Sequence, residues 1–251
     1  MADSEKNIKL TIEYDGTHYH GWQVQPNGPS IQQEIETAIE TMTRRRVKLL
    51  GSGRTDAGVH ALGQTANFIC QTGIAPEEFL KGLNSLLPED IVIRKVAQVS
   101  PRFHARYDAV SKRYRYHILN RPVPSAIQRF HTWWIRSPLD LSAMKLGMSH
   151  LVGEHDFKAF EGAGSPRSST VRRVIGMDLT RGGAGVVAID IHATGFLRFM
   201  ARNIVGTLVD VGLHKLAPDR IKDILRSRNR AEASATAPAR GLFLMEVFYE
   251  V

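Results

Sequence analysis

The length, composition and charge of the chain indicate a globular protein with a basic surface. Its 251 residues suffice for one large domain or two of ordinary size, and 43% hydrophobic with 23% charged residues is typical of soluble proteins. No run approaches the ~18 consecutive apolar residues of a membrane span, and the N-terminus lacks the apolar segment of a secretory signal. The single cysteine, Cys70, excludes an intramolecular disulfide. We therefore expect a cytoplasmic protein without a membrane partner.

The net charge of +8 is unevenly distributed along the chain. Residues 1–105 carry 11 Lys and Arg against 12 Asp and Glu, whereas residues 106–251 carry 22 against 13. A basic surface of this kind is typical of nucleic-acid-binding proteins, although a basic protein without such a partner has the same composition. We predict two α/β units, at 1–105 and 106–251, with the second and more basic one facing a nucleic acid.

Apolar periodicity predicts the element order β-α-β-β-α-β in the first half of the chain. The capping pattern Ser30-x-x-Gln33 marks the start of one helix, and two prolines bound the other. The predicted elements are a strand at 8–14, a helix from Ser30, strands at 47–50 and 64–70, a helix from Pro76 that ends before Pro88, and a strand at 91–99.

The second half repeats this order of elements without visible sequence identity. The predicted elements are strands at 111–119, 171–180, 185–193 and 242–249, and helices at about 140–151, at 196–212 and from Pro218. Two such units predict a duplicated ferredoxin-like or RRM-like split-βαβ architecture in the α+β class. Joined edge to edge, the two antiparallel sheets would form one extended sheet with a broad central cleft for the nucleic acid. The segments 161–173 and 233–241 are expected to be mobile surface loops.

The segment "GSGRTDAGVHALGQ", at 51–64, is predicted to be a glycine-rich loop that carries two charged side chains. It matches neither the P-loop nor the dinucleotide-binding pattern. Thr55 and Asp56 have a structural interpretation, since such side chains brace turns through hydrogen bonds to the backbone. In the functional interpretation, the carboxylate of Asp56 is the reactive group and Arg54 faces the substrate.

Three further patterns in the chain have both a structural and a functional interpretation. The strand "KRYRYHILN" alternates aromatic residues, including Tyr114, with basic ones, which suits RNA but also suits an ordinary amphipathic strand. On the helix "GFLRFMARNIVG", Arg202 lies close to the apolar face, where a buried arginine needs an anionic partner; an ordinary surface position is the structural alternative. His18 and His20 lack a nearby third ligand, so we predict no metal site.

Five segments together resemble the tRNA pseudouridine synthases, in the bacterial group that acts on the anticodon stem-loop. They are "GRTDAGVHALGQ", "FHARYDAVSKRYRYHILN", "DFKAF", "GFLRFMARNIVGTLVDVG" and "APARGLFLMEVFY", and the likeness runs from about Ile8 to the C-terminus. The resemblance implies isomerisation of uridine to pseudouridine at tRNA positions 38, 39 and 40. It also implies a homodimer that works without a metal or a cofactor.

The resemblance also assigns roles to four residues of this sequence. It implies that Asp56 is the catalytic aspartate and that Tyr114 contacts the target base. Arg202 resembles the basic partner of the aspartate, and Arg54 resembles the arginine that enters the stem when the target nucleotide is flipped out. A non-catalytic RNA-binding protein with two RRM-like units is the alternative, but the sequence lacks the aromatic RNP pattern of such proteins.

Overall fold

The computed structural model describes residues 4–164 and 168–250, and within them the chain forms two compact units. The first unit runs to Val110 and also includes the residues from Phe243 onward. The second unit comprises Ser111–Leu242. Both units are mixed α+β with mostly antiparallel strand pairs, as the sequence predicts at this level.

The first unit contains the predicted β-α-β-β-α-β order. One face of its first strand supplies the core, where Ile8, Leu10 and Ile12 are fully buried. Ser30 caps the first helix through its hydroxyl oxygen, as its sequence pattern predicts. The elements are β1 (Ser4–Tyr14), α1 (Ile31–Thr43), β2 (Leu50–Gly51), β3 (His60–Thr72), α2 (Pro76–Leu86) and β4 (Ile91–Val99). In the sheet, β1 lies between β4 and β3, and β2 pairs with β3.

Two strands of the first unit differ from their predicted bounds. β3 begins at His60, so the predicted start at residue 64 is wrong, and β2 has only two residues. The early start of β3 depends on β1, whose Tyr14 pairs with Ala61. Such a partner is distant in sequence, so the glycine-rich pattern of the segment does not indicate it.

The second unit contains the predicted elements of the second half except its last strand, and two further short strands. Its elements are β5 (Ala109–Asn120), β6 (Trp133–Ile135), α3 (Leu141–Ser149), β7 (Gly153–Asp156), β8 (Val171–Arg181), β9 (Val186–Ala193), α4 (Met200–Gly212) and α5 (Arg220–Ser227). The strands lie in the order β5-β9-β8-β7, and β6 pairs with β5. The predicted start of α4 at 196 is wrong, because Phe199 has the left-handed φ of 61° and the regular helix begins only after it.

The last strand, β10 (Leu242–Tyr249), has the predicted bounds. It pairs in parallel with β3, with Phe243 opposite His60 and Leu244 opposite Ala61. This pairing places the end of the chain in the first unit, whereas the predicted division at residue 105 assigns it to the second. A strand joins the sheet whose edge it pairs with, and its position along the chain does not decide which sheet that is.

The segment 233–241 is packed against α4, and the expectation of a mobile surface loop is wrong there. Ala237 is fully buried, and its N–H donates to the carbonyl oxygen of Arg202. Asn203 accepts a hydrogen bond from the hydroxyl of Thr236 at 2.6 Å. Of the other predicted loop, 161–173, Glu161 is buried, the strand β8 begins at Val171, and residues 165–167 lie outside the described residues.

Among the residues that the structure describes, no helix has both the length and the apolar character needed to cross a bilayer.

Gly206 of α4 provides a test of this packing. A Cβ at this position would lie 1.9 Å from the carbonyl oxygen of Ala235, so the backbone would have to move. We expect Gly206→Ala to destabilise the protein by about 1–3 kcal/mol, because overpacking outweighs the ~1 kcal/mol that alanine gains in helix propensity. Urea unfolding measures the change. The matched control is Gly176→Ala in β8, where a Cβ meets nothing within 4 Å and no loss is expected. Equal stability of both variants would contradict the packing argument.

Candidate active site

The loop 52–59 joins β2 to β3 and carries Asp56, and polar groups at its beginning hold it against β3. The hydroxyl of Ser52 donates to Gln64 Oε1 at 2.7 Å, and Gln64 Nε2 donates to the carbonyl oxygen of Gly53 at 3.0 Å. Both side chains are buried. Buried polar groups with satisfied hydrogen bonds fix one local geometry, so the start of the loop is well defined.

The segment 14–22, which begins at the last residue of β1, holds the middle of the same loop. The N–H of Trp22 donates to the carbonyl oxygen of Thr55 at 3.1 Å, and the hydroxyls of Tyr14 and Thr55 share a hydrogen bond of 2.8 Å. Burial raises the pKa of Tyr14 well above its usual value, so its hydroxyl stays protonated at all physiological pH values. Thr55 is therefore fixed through its backbone and its side chain, directly beside Asp56.

Two glycines allow these segments to come this close. A Cβ at Gly16 would lie 2.1 Å from the carbonyl oxygen of Val59, and one at Gly21 would lie 2.6 Å from that of Thr55. Gly21 also has φ of +98°, a conformation that glycine adopts without strain. His60 closes the loop, because its Nδ1 accepts the N–H of Gly16 at 3.1 Å and its ring stacks on another aromatic ring.

Asp56 and Arg54 lie on this braced loop, in the first unit. Arg54 is exposed and Asp56 is half-buried, whereas Thr55 between them is buried. Thr55 thus braces the turn through its own hydrogen bonds, as the structural interpretation of that residue expects. The arrangement can present a carboxylate at a fixed position with a cation two residues away.

Tyr114 lies in the second unit, on β5, opposite Ile191 of β9. Its side chain is only 8% exposed, and its ring meets the ring of Phe196 edge-on with 4.7 Å between centroids. Tyr116, two residues on, is fully buried and donates its hydroxyl to the carbonyl oxygen of Pro238 at 2.7 Å. The structural interpretation of this strand therefore holds for Tyr116, whereas Tyr114 lies at the margin of the core.

The basic residues on the opposite face of β5 include an ion pair that holds the sheet together. Arg115 donates to both carboxylate oxygens of Asp190, directly across from it on β9, at 3.0–3.1 Å. Because its guanidinium is already paired with a carboxylate, Arg115 is less available to bind a phosphate than the alternating sequence pattern alone indicates.

Arg202 lies in the first turn of α4, also in the second unit, and is half-buried. Its Nε donates to the carbonyl oxygen of Ala237 at 2.8 Å, and its guanidinium lies 4.9 Å from the ring centroid of Phe199. These contacts fix the direction of the side chain. The residue is therefore neither fully buried nor fully exposed.

Several residues that shape these two regions were not singled out in the sequence. Asn203, fully buried, donates to the carbonyl oxygen of Phe160 and accepts from Thr236 and Arg230. A polar residue among the apolar positions of α4 was the available signal for it. Tyr14 and Gln64 have no comparable signal, because each fits an ordinary strand pattern.

Comparison with known proteins gives a consistent result across both units. A family profile described as tRNA pseudouridine synthase matches residues 10–108 and 148–250. The chain is 48% identical to tRNA pseudouridine synthase A of Acetivibrio thermocellus and 49% identical to that of Geotalea daltonii, in each case over 97% of this chain and 100% of the relative. Among solved structures, one described as a Cbf5-Nop10-Gar1 complex covers 96% of this chain and 50% of its own, at 11% identity and a TM-score of 0.38, which is too low to support a conclusion.

The profile includes the Asp56 loop of the first unit and the Arg202 helix of the second, and the relatives span nearly the whole chain. The resemblance predicted from five short segments is confirmed. The chain therefore belongs to the tRNA pseudouridine synthase family of isomerases.

Proposed function

We propose that this protein isomerises uridine to pseudouridine at positions 38, 39 and 40 of the tRNA anticodon stem-loop, with Asp56 as the catalytic residue. The observation that carries the proposal is the loop 52–59, in which buried hydrogen bonds of Ser52 and Thr55 before Asp56, and of His60 after it, flank a half-buried carboxylate. The position of the target uridines rests on the family resemblance alone. The reaction uses no metal and no cofactor.

The chemistry explains why an aspartate stands at this position. The bond between C1′ and N1 must break, the base must rotate, and a bond between C1′ and C5 must form, after which C5 loses a proton and N1 gains one. A carboxylate can attack the sugar while the base leaves, or it can remove a proton from the sugar. Both routes need an ionised carboxylate beside the sugar, and the braced loop holds one in place.

We further propose that the second unit completes the site. Each unit would be a ferredoxin-like split-βαβ unit, supported in the first by the order β4-β1-β3 with β2 beside β3. The two sheets would join edge to edge and leave a cleft. In that cleft Tyr114 would contact the target base and Arg202 would be the basic partner of Asp56. A homodimer and a cytoplasmic location complete the proposal, on the family resemblance and on the single cysteine respectively.

Arg54 fits the role of a side chain that enters the stem. It is exposed, and it lies on the same braced loop as Asp56. A stem uridine must be flipped out before it can react, at a cost of roughly a few kcal/mol. An exposed guanidinium can fill the vacated space and stack on the neighbouring bases, which lowers this cost.

Asp56→Asn tests the proposal directly. We expect pseudouridine formation in unmodified tRNA to fall by about 10³-fold or more, because the amide neither attacks nor accepts a proton. The Kd for tRNA should change less than about threefold, because phosphate contacts dominate RNA affinity. Asp178→Asn, at an exposed position of β8, is the matched control and should keep full activity. A wild-type protein that binds tRNA but forms no pseudouridine would instead indicate the non-catalytic RNA-binding alternative.

Tyr114→Phe separates the role of the hydroxyl from that of the ring. If the hydroxyl takes part in proton transfer, single-turnover rates should fall by about 10²–10⁴-fold while the Kd for tRNA stays nearly constant. Tyr116→Phe is the matched control, because that hydroxyl lies in the core and donates to the carbonyl oxygen of Pro238. The control should lose about 1 kcal/mol of stability and none of its activity. If Tyr114→Phe is as active as the wild type, the hydroxyl has no role in the reaction and Tyr114 acts by stacking alone.

The charge of the second unit predicts a steep salt dependence of tRNA binding. Residues 111–242 carry 21 Lys and Arg against 10 Asp and Glu. Each phosphate contacted should contribute about −0.7 to −0.9 to the slope of log K against log salt concentration. Equilibrium binding between about 50 and 200 mM salt measures this slope, and a flat dependence would contradict a basic RNA-binding surface.

A further inference from the structure

The loop 100–108, between β4 and β5, has a backbone that buried side chains of the sheet hold in place. The carbonyl oxygen of Phe103 accepts hydrogen bonds from Asn7 Nδ2 at 2.8 Å and from Asn67 Nδ2 at 3.3 Å. The N–H of Ala105 donates to Asn67 Oδ1 at 2.9 Å. Both asparagines are almost fully buried, at 3% and 1% exposure. Core positions on two strands are thus occupied by polar groups that hold this loop.

A third side chain and a lysine extend the support beneath the loop. The hydroxyl of Tyr249 donates to the carbonyl oxygen of Ala105 at 2.7 Å. The ammonium of Lys9 lies 4.2 Å from the ring centroid of Tyr249 and 5.1 Å from that of Phe103. Partial burial, and then the charge of Lys95, lower the pKa of Lys9. The surface under the loop is therefore aromatic and positively charged.

The tip of the loop is fixed by its own hydrogen bonds, yet its largest side chain is exposed. His104 Nδ1 accepts the N–H groups of Arg106 and Tyr107, and the N–H of His104 donates to Asp108 Oδ2 at 2.9 Å. The ring of Tyr107 lies 4.2 Å from the ring of His104 and is 74% exposed. A rigid backbone thus presents an exposed aromatic ring, with the exposed side chains of Arg102 and Arg106 next to it.

This combination suits a nucleic acid better than a second copy of the chain. Bases stack on exposed rings while nearby guanidinium groups contact phosphates. A symmetric contact between two copies would bring the positive charges of Arg102, Arg106 and Lys9 towards their own equivalents, which is unfavourable. One ring also offers far less apolar area than the roughly 1,000 Å² that a stable protein interface needs.

We infer that the loop 100–108 is a second RNA-binding site, at which Tyr107 stacks on a nucleobase and Arg102 and Arg106 contact the adjoining phosphates. Tyr107 and Asp56 lie on separate loops, 100–108 and 52–59, and the nucleotide bound here is taken to be a different one from the target uridine. The inference rests on the proposed function, since the RNA is taken to be the tRNA substrate.

Tyr107→Ala tests the inference through the affinity for unmodified tRNA. Loss of one stacked base should raise the Kd about 5- to 150-fold, while Tyr107→Trp, which can still stack, should stay within about threefold of wild type. Single-turnover pseudouridine formation at saturating tRNA should change less than about twofold in both variants. Arg106→Gln should reduce the salt slope by about one phosphate contact. Substitutions at such exposed positions should leave the unfolding midpoint unchanged.

Matched controls are Leu86→Ala and Lys81→Gln, which remove an exposed apolar side chain and an exposed charge from α2 of the same unit. Neither control should change tRNA affinity as the loop variants do. An unchanged Kd in Tyr107→Ala, with active wild-type protein, would overturn the inference and leave the proposed function intact. A change in oligomeric state on light scattering that accounts for the lost affinity would also overturn it, since the ring would then contact a second copy. Failure of the wild type itself to form pseudouridine would refute the proposed function instead.

Discussion

The close approach of the segment 14–22 to the loop 52–59 is the constraint on which the arrangement around Asp56 depends. At Gly16 and Gly21 the backbones come so near that a Cβ would overlap a carbonyl oxygen. This contact lets backbone N–H groups of one segment reach carbonyl oxygens of the other, and it brings the hydroxyls of Tyr14 and Thr55 together. The position of Asp56 is thus set by a close fit between two pieces of backbone, together with the side-chain hydrogen bonds of the loop.

The second unit uses a similar device at α4. Asn203 and Arg202 bond to backbone oxygens outside the sheet, at Phe160 at the end of a short 3₁₀ helix and at Ala237 in the segment 233–241. Gly206 lets the segment 233–241 lie directly on the helix. In both units, buried polar side chains hold loop backbones in single conformations, because an unsatisfied buried polar group costs about 1–3 kcal/mol. The loop 100–108 follows the same principle through Asn7, Asn67 and Tyr249.

In the loops 52–59 and 100–108, a charged or an aromatic side chain stays exposed. Buried side chains do the bracing, so Arg54 and Tyr107 stay exposed on rigid supports. A rigid support reduces the entropy that must be lost when RNA binds, which favours affinity and accurate placement. Arg115 is the opposite case. It belongs to an alternating pattern that is typical of RNA-binding strands, but it is paired with Asp190 and stabilises the sheet.

The sequence by itself determined the family, the order of the predicted elements, and the bounds of strands such as 91–99 and 242–249. These follow from local periodicity and from motifs that are contiguous in the chain. It also indicated Asp56 and Arg54 as residues of one loop, and Ser30 as a helix cap, since each of these signals is local.

Only the tertiary structure decided which segments support one another. The start of β3 at His60, the place of β10 in the first unit, and the burial of Ala237 all depend on partners far away in the sequence. The bracing roles of Tyr14 and Gln64 were hidden for the same reason, and the partners of Asn203 were hidden as well. A hydrogen bond between distant residues leaves no periodic pattern in the chain, because its geometry exists only after the backbone has folded.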